Sequence, residues 1–196
     1  MKKLFILGAC GILCTSAMAQ TTKGSKFIGV NIGNLSYTRS QDDSRIGIAL
    51  LPSAGVFLAD DFLLGSSVTL GYQRFNSENG IQYYTSRTIS YGLAPFARYY
   101  FAGTTPHRFF GQASVGIARS NTKIEAGYKD KYSSTDESFA VGLGYNYFLT
   151  PSAALEVIAG YGRDYNGSNT SVGHLDVRAG FSVFLPSRQA AVVPAQ

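Results

Sequence analysis

Beyond residue 14 the chain has no cysteine, and it has no tryptophan anywhere. Cys10 and Cys14 both sit in an N-terminal apolar segment. Once that segment is removed, disulfides, thiolate metal ligands and catalytic thiols are excluded. Charge is also scarce. Asp, Glu, Lys and Arg together make up 15% of the chain, against about 25% in soluble domains. Only two histidines occur, His107 and His174. No apolar run reaches the roughly 18 residues of a membrane-spanning helix. No GxxxxGK, HExxH or calcium-loop pattern is present, and the many x-G-x-G pairs open no helix. No cofactor, no metal and no catalytic constellation is therefore expected.

The first residues do carry a pattern. Met1-Lys2-Lys3 is a basic start, Leu4–Cys14 is apolar, and Ala17-Met18-Ala19 is an A-x-A site. This reads as a secretory signal peptide, 1–19, cleaved between Ala19 and Gln20. An N-terminal anchor would need a longer apolar run; lipidation at Cys10, after Leu7-Gly8-Ala9, is the other alternative. Without Lys2 and Lys3, 15 basic residues face 12 acidic ones, about +3 from the 17 and 12 of the whole chain. So mild a balance gives no reason to expect nucleic acid.

The chain is rich in glycine (22) and in tyrosine and phenylalanine (13 each). Val141, Leu143, Tyr145 and Tyr147 alternate with Gly142, Gly144 and Asn146 before Leu149-Thr150-Pro151-Ser152 interrupts them. Period-two alternation is the signature of a strand with one apolar face. Related phrases surround Asp60-Asp61 and Gly103–Pro106, about 45 residues apart, as a meander of hairpins requires. Eight strands are predicted, at about 26–38, 45–59, 62–75, 85–102, 108–121, 134–149, 153–165 and 172–185. Each exceeds the roughly 9–11 residues of a tilted membrane strand, and the count is even. The expected fold is all-β: an eight-stranded antiparallel up-and-down transmembrane barrel, residues 20–185, followed by a short tail, 186–196.

One face of these strands is apolar and uncharged, as in Ile46-Ile48-Leu50, Val68-Leu70-Tyr72, Leu155-Val157 and Leu175-Val177. The other is rich in Gly, Ser, Thr and Asn. The first strand changes parity between Ile32 and Leu35, which predicts a bulge near Gly33-Asn34. Pro52 and Pro95 fall inside strands, where a shared bulge is expected. Short turns at Asp60-Asp61, Gly103–His107 and Thr150-Pro151 alternate with longer polar loops at 39–44, 76–84, 122–133 and 166–171, the pattern of periplasmic turns and extracellular loops. Tyr and Phe gather beside the short turns; those facing outward suit an aromatic girdle.

Inward charges are the informative ones. By parity Arg98, Glu156, Asp176 and Arg178 point into the lumen, and buried charges need partners. A polar network of these four is expected to fill it. Pairing strands seven and eight around 166–171 sets Arg178 opposite Gly160 and His174 opposite Asp164, as a polar pair at the rim. His174, Asp164 and either Ser171 or Ser182 form the one His/acid/Ser grouping available. His107, in a short turn, is expected in solvent.

Gly24-Ser25-Lys26-Phe27-Ile28-Gly29, Gly55-Val56-Phe57-Leu58-Ala59-Asp60, Pro95-Phe96-Ala97-Arg98-Tyr99-Tyr100 and Tyr147-Phe148-Leu149-Thr150-Pro151 resemble the small outer-membrane β-barrel family related to OmpX and the OmpA membrane domain. The resemblance spans most of the chain beyond residue 20. It implies a barrel in the cell outer membrane. Proteobacterial members usually end on an aromatic residue, whereas here Phe184-Leu185 is followed by Pro186 and a tail to Gln196. The motifs of His/Ser lipid-A-modifying barrels are missing. The function expected is structural or surface-interaction, without turnover. The expected partners are outer-membrane lipid and a surface ligand or protein at the long loops, the chain remaining monomeric. A narrow pore for small solutes is the alternative, followed by a soluble lipocalin-like carrier and a lipid-modifying enzyme.

Overall fold

The computed structural model describes residues 21–40, 43–79, 82–126, 129–166 and 170–187. The expected signal peptide and all but the first two residues of the tail lie outside them. Eight strands follow in order: β1 (Lys26–Arg39), β2 (Asp43–Ala59), β3 (Phe62–Asn79), β4 (Gln82–Ala102), β5 (His107–Glu125), β6 (Lys129–Thr150), β7 (Ala153–Asn166) and β8 (Thr170–Leu185). Each pairs antiparallel with the next, and β8 closes on β1. Closure leaves no sheet edge.

The stagger can be followed residue by residue. From Leu185 the paired row runs through Lys26, Val56, Leu64, Ala97, Ala113, Val141 and Tyr161, and returns to β8 at Leu175, ten residues nearer the other end. A stagger of this kind tilts the strands by about 35–45° and leaves a lumen that side chains can fill.

The bulge expected in β1 is present: the register with β2 shifts between Gly33 and Ser36. It turns Leu35 and Tyr37 outward, where they are 79% and 71% exposed. No bulge occurs at the prolines. Pro52 pairs with Val30, and the register with β3 is the same before and after it. Pro95 pairs with Ser66 and leaves the β5 register equally unchanged. A missing N–H removes one rung on one side of the strand and need not shift the ladder.

The shared bulges lie at the short turns instead, between Phe57 and Ala59, Tyr100 and Ala102, and Phe148 and Thr150. Just before each, the aromatic residue donates its backbone N–H across to the neighbouring hairpin. Phe57 donates to Ser25 O (2.9 Å), Tyr100 to Asp61 O (2.9 Å) and Phe148 to Pro106 O (2.8 Å). Phe184 repeats the bond to Ser152 O at 2.7 Å. The 45-residue repeat is thus a repeated bulge and a repeated inward aromatic.

The longer loops are largely strand. Pairing continues to Asn79↔Gln82 and Glu125↔Lys129. Backbone bonding does not depend on an apolar side, so the ladder outlasts the alternation that reveals it. The apolar residues predicted to share a face do so, and they point out of the barrel: Ile48, Leu70, Leu143, Leu175 and Val177 are 41–85% exposed. A soluble carrier would need that face turned inward, so that alternative fails. The outward aromatics Phe62, Tyr99, Phe101, Phe109 and Tyr147 line the turn end along β3–β6, where girdle residues belong.

Candidate functional site

The lumen divides into two unlike halves. Towards the short turns it is filled. Phe27, Phe57, Phe96, Tyr100, Phe110, Phe148 and Phe184 all point inward and are buried. Phe184 meets Phe148, Phe27, Phe57 and Tyr100 at ring distances of 5.0, 5.5, 6.2 and 6.4 Å. The tip of the Phe110 ring fills the space over Gly144, where a Cβ would collide with it.

Among these rings, Arg98 of β4 meets Glu156 of β7. Their side chains are 2% and 0% exposed, and Nη1 donates to Oε2 at 2.6 Å and Nη2 to Oε1 at 3.1 Å. This two-pronged contact suits a planar guanidinium. The carboxylate has three further donors: Asn31 (3.0 Å), Asn146 (3.1 Å) and Ser182 (3.0 Å). Asn31 reaches it over Gly180, which pairs with both Asn31 and Glu156. A side chain there would collide with Asn31, its Cβ 2.4 Å from Oδ1. The guanidinium also donates to Gln112 Oε1, at 2.8 and 3.0 Å, and to Tyr100 Oη at 3.2 Å. Its carbon stands 3.9 Å from the Phe110 ring centre and 4.8 Å from that of Phe27, within cation–π range. The ions are therefore paired, hydrogen-bonded and floored by aromatic faces, which is what burial of charge demands.

The four-residue network expected from the sequence is two separate pairs. Arg178 Nε donates to Asp176 Oδ2 at 2.5 Å, two residues away on its own strand. The pair does not reach Glu156, because Arg178 sits opposite buried Ile158 and its stem lies over Gly33. The β7–β8 register differs from the expected one by two residues: Asp176 faces Gly160, and His174 faces Gly162. The strands run further into the turn than their apolar pattern does, to Asn166↔Thr170. His174 still reaches Asp164 diagonally, Nδ1 to Oδ2 at 3.5 Å, both about half exposed.

Neither serine completes a His/acid/Ser set. Ser171 faces outward opposite Tyr165, and Ser182 is eight residues down the strand, bonded to Glu156. His107 is not simply solvated. Its Nδ1 lies 2.6 Å from Tyr145 Oη, and its ring is near Tyr147.

Towards the loop end, the lumen opens into a cavity of about 300 Å³. Ser90, Ser114, Ser120 and Thr69 line one wall; Asp136, Asp164, His174, Asp176 and Arg178 line the other. Small hydroxyls leave this half roomy where the other is filled. A third feature lies at the turn end. The Arg108 guanidinium and Thr21 Oγ1 both donate to the Asp61 carboxylate, and Asp61 N–H donates to Thr21 O at 2.7 Å. Asp61 holds φ of 62°, a turn conformation that Asp tolerates. The bond ties the segment before β1 across the floor of the barrel. Nothing in residues 21–25 marks that contact in the sequence.

Comparison with known proteins fits this architecture. No curated protein sequence matches the chain. Among solved structures, the N-terminal β-barrel domain of Pseudomonas aeruginosa OprF is similar (19% identity, 83% of this chain and 98% of that one, TM-score 0.46). So is Ail, the attachment invasion locus protein of Yersinia pestis (14%, 82% and 99%, 0.48). A major outer membrane protein from Thermus thermophilus matches at 13% identity over 82% and 99%, with a TM-score of 0.50. At these identities the likeness is one of fold. The model of the outer membrane protein beta-barrel domain matches residues 5–183, nearly the whole chain, which therefore belongs to the family of outer-membrane β-barrel proteins.

Proposed function

We propose that this protein is a non-conducting outer-membrane barrel with a structural and surface-interaction role, its loop end outermost and its turn end in the periplasm. The observation that carries this reading is the buried Arg98–Glu156 contact. It crosses the lumen between strands that are not neighbours and stands on a floor of packed aromatic rings. An ion would have to break it or pass rings that leave no channel. Removing one member of such a pair costs about 3–5 kcal/mol, so spontaneous opening is rare. The open cavity above is a dead end that presents hydroxyls and carboxylates to the loop side. Turnover is not part of this reading.

Planar-bilayer recording tests it. The purified protein should give no unitary current steps. Arg98→Ser/Glu156→Ser/Tyr100→Ala, which removes the contact and part of the floor, should admit small, frequent ones. Steady channels from the unaltered protein would replace this reading with the narrow pore.

A further inference from the structure

Following the pairing across the outer surface at the loop end gives a row of cations. Arg74 of β3 pairs with Arg87 of β4, Arg87 with Lys123 of β5, and Lys123 with Lys131 of β6. All four occupy the outward parity, in line with Tyr72 and Ile89 below them. Neighbouring strands lie about 5 Å apart, so four positive charges stand side by side on one face. Among the described residues none of the four has an acidic side chain within ion-pair distance. Arg119, two outward positions below Lys123 on β5, adds a fifth; its guanidinium donates to Ser133 of β6 at 3.3 Å. By register three carboxylate residues share this face: Glu78, beyond Arg74 on β3, Glu125, directly opposite Lys129, and Glu137, lower on β6. The face therefore keeps a surplus of cations where like charges would otherwise repel.

Below the row, on β4–β6 and the edge of β7, the outward surface is hollowed. Leu93, Pro95, Val115, Ile117, Phe139 and Tyr165 line a mostly apolar groove of about 540 Å³, whose wall also includes Glu137 and Ser138. Gly116, also in its wall, adds no side chain there. On this lipid-facing surface three outward steps separate Ile117 in the groove from Lys123 in the row, about 20 Å along the strand, a distance that a long acyl chain spans. We infer that this face is a binding site for a phosphate-bearing lipid of the loop-side leaflet, with its phosphate on Arg87, Lys123 and Lys131 and an acyl chain in the groove. Guanidinium and ammonium donors make short, charge-assisted bonds to phosphate oxygens. The groove supplies apolar contact that a free anion cannot use. The inference goes beyond the surface role proposed above and needs only membrane residence, so a conducting barrel would leave it standing.

Native mass spectrometry of the full folded protein, released from detergent micelles, tests it. The probes are dioleoyl phosphatidic acid and dioleoyl phosphatidylcholine, offered singly at equal concentration. One phosphatidic acid should be retained in preference to phosphatidylcholine. Arg87→Gln/Lys123→Gln should lower its retention about tenfold, and Val115→Phe, which fills the groove without touching charge, should lower it independently. Arg39→Gln, on the far side at β1, should change nothing. Equal retention of the two lipids, an equal loss in Arg39→Gln, no effect of Val115→Phe, or displacement by equimolar inorganic phosphate would each overturn the site. The shift of the folded band on unboiled gels confirms that every variant is closed before it is scored.

Discussion

The two halves of one lumen, built on the same eight strands, solve opposite problems. In the turn-end half the inward positions hold seven aromatic rings and one ion pair, and Glu156 accepts five hydrogen bonds from four side chains. In the loop-end half the same inward parity holds mostly Ser, Thr, Ala and Gly beside the Asp164–His174 and Asp176–Arg178 pairs, with hydroxyls bonded in simple cross-strand pairs such as Ser90–Ser120 at 2.9 Å and Thr88–Thr122 at 2.8 Å. Backbone geometry is common to both halves. Side-chain volume alone decides which is sealed, and volume also decides how expensive a charge is to leave unpaired. Three substitutions probe that difference, from the largest effect to the smallest.

Glu156→Ala strikes the sealed half. It strands the Arg98 guanidinium among aromatic rings, with only Gln112 and Tyr100 left to accept its hydrogen bonds. The expected loss is about 3–5 kcal/mol, read as a lower urea midpoint for unfolding from phospholipid vesicles. Arg98→Leu/Glu156→Leu should lose less than Glu156→Ala, because it leaves no unpaired charge. A loss below about 1 kcal/mol in Glu156→Ala would mean that water reaches the pair and that the halves are not distinct.

Arg178→Ala strikes the other ion pair. Its partner Asp176 is 13% exposed against 0% for Glu156, and it borders the open cavity. Water there can solvate the carboxylate left behind, so the expected loss is smaller, about 1–2 kcal/mol. The two effects should add in the double variant, since the pairs share no hydrogen bond. Clear non-additivity in the same urea series would restore the single four-residue network and remove the boundary between the halves.

How much of this was legible follows from what each signal measures. Period-two alternation reports which face meets lipid, and it found the eight strands and the apolar faces. Arg98, Glu156, Asp176 and Arg178 were legible as inward charges by parity alone. Their grouping was not, because it depends on register. A register two residues from the expected one, closing at Asn166↔Thr170, was enough to set Arg178 opposite Ile158 rather than Gly160. Asn31, Gln112, Asn146 and Ser182 went unread because a neutral inward side chain looks the same whether it fills space or holds a carboxylate. The signal that could have found Asn31 is Gly180, a residue whose missing side chain opens a path between strands. Phe57, Tyr100, Phe148 and Phe184 lie among the aromatics beside the short turns, of which only the outward ones suit a girdle. Their parity sets them inside, one step from outward Tyr99, Phe101, Tyr147 and Phe181. The cation row across β3–β6 was invisible for the same reason as the ion-pair grouping, since Arg74, Arg87, Lys123 and Lys131 meet only through pairing across four strands.

The smallest effect belongs to Ser114→Leu. Ser114 points inward from β5 and lines the open cavity, which has room for a larger side chain. The added apolar surface gains some burial, and water in the cavity already solvates the hydroxyl that is lost. The net change should stay within about 0.5 kcal/mol, measured in the same urea experiment. The contrast with Gly144 in the sealed half is what gives this small number its value. A single methyl there would have to push aside Phe110, whose ring atoms lie 2.1–2.7 Å from the new carbon, and overpacking of that kind costs about 1–3 kcal/mol. If Ser114→Leu proved as costly, the loop-end half would be packed rather than open, and the cavity would be too tight to hold ordinary water. If it proved neutral, then a whole leucine side chain is absorbed in one half of a lumen whose other half has no space for a methyl group.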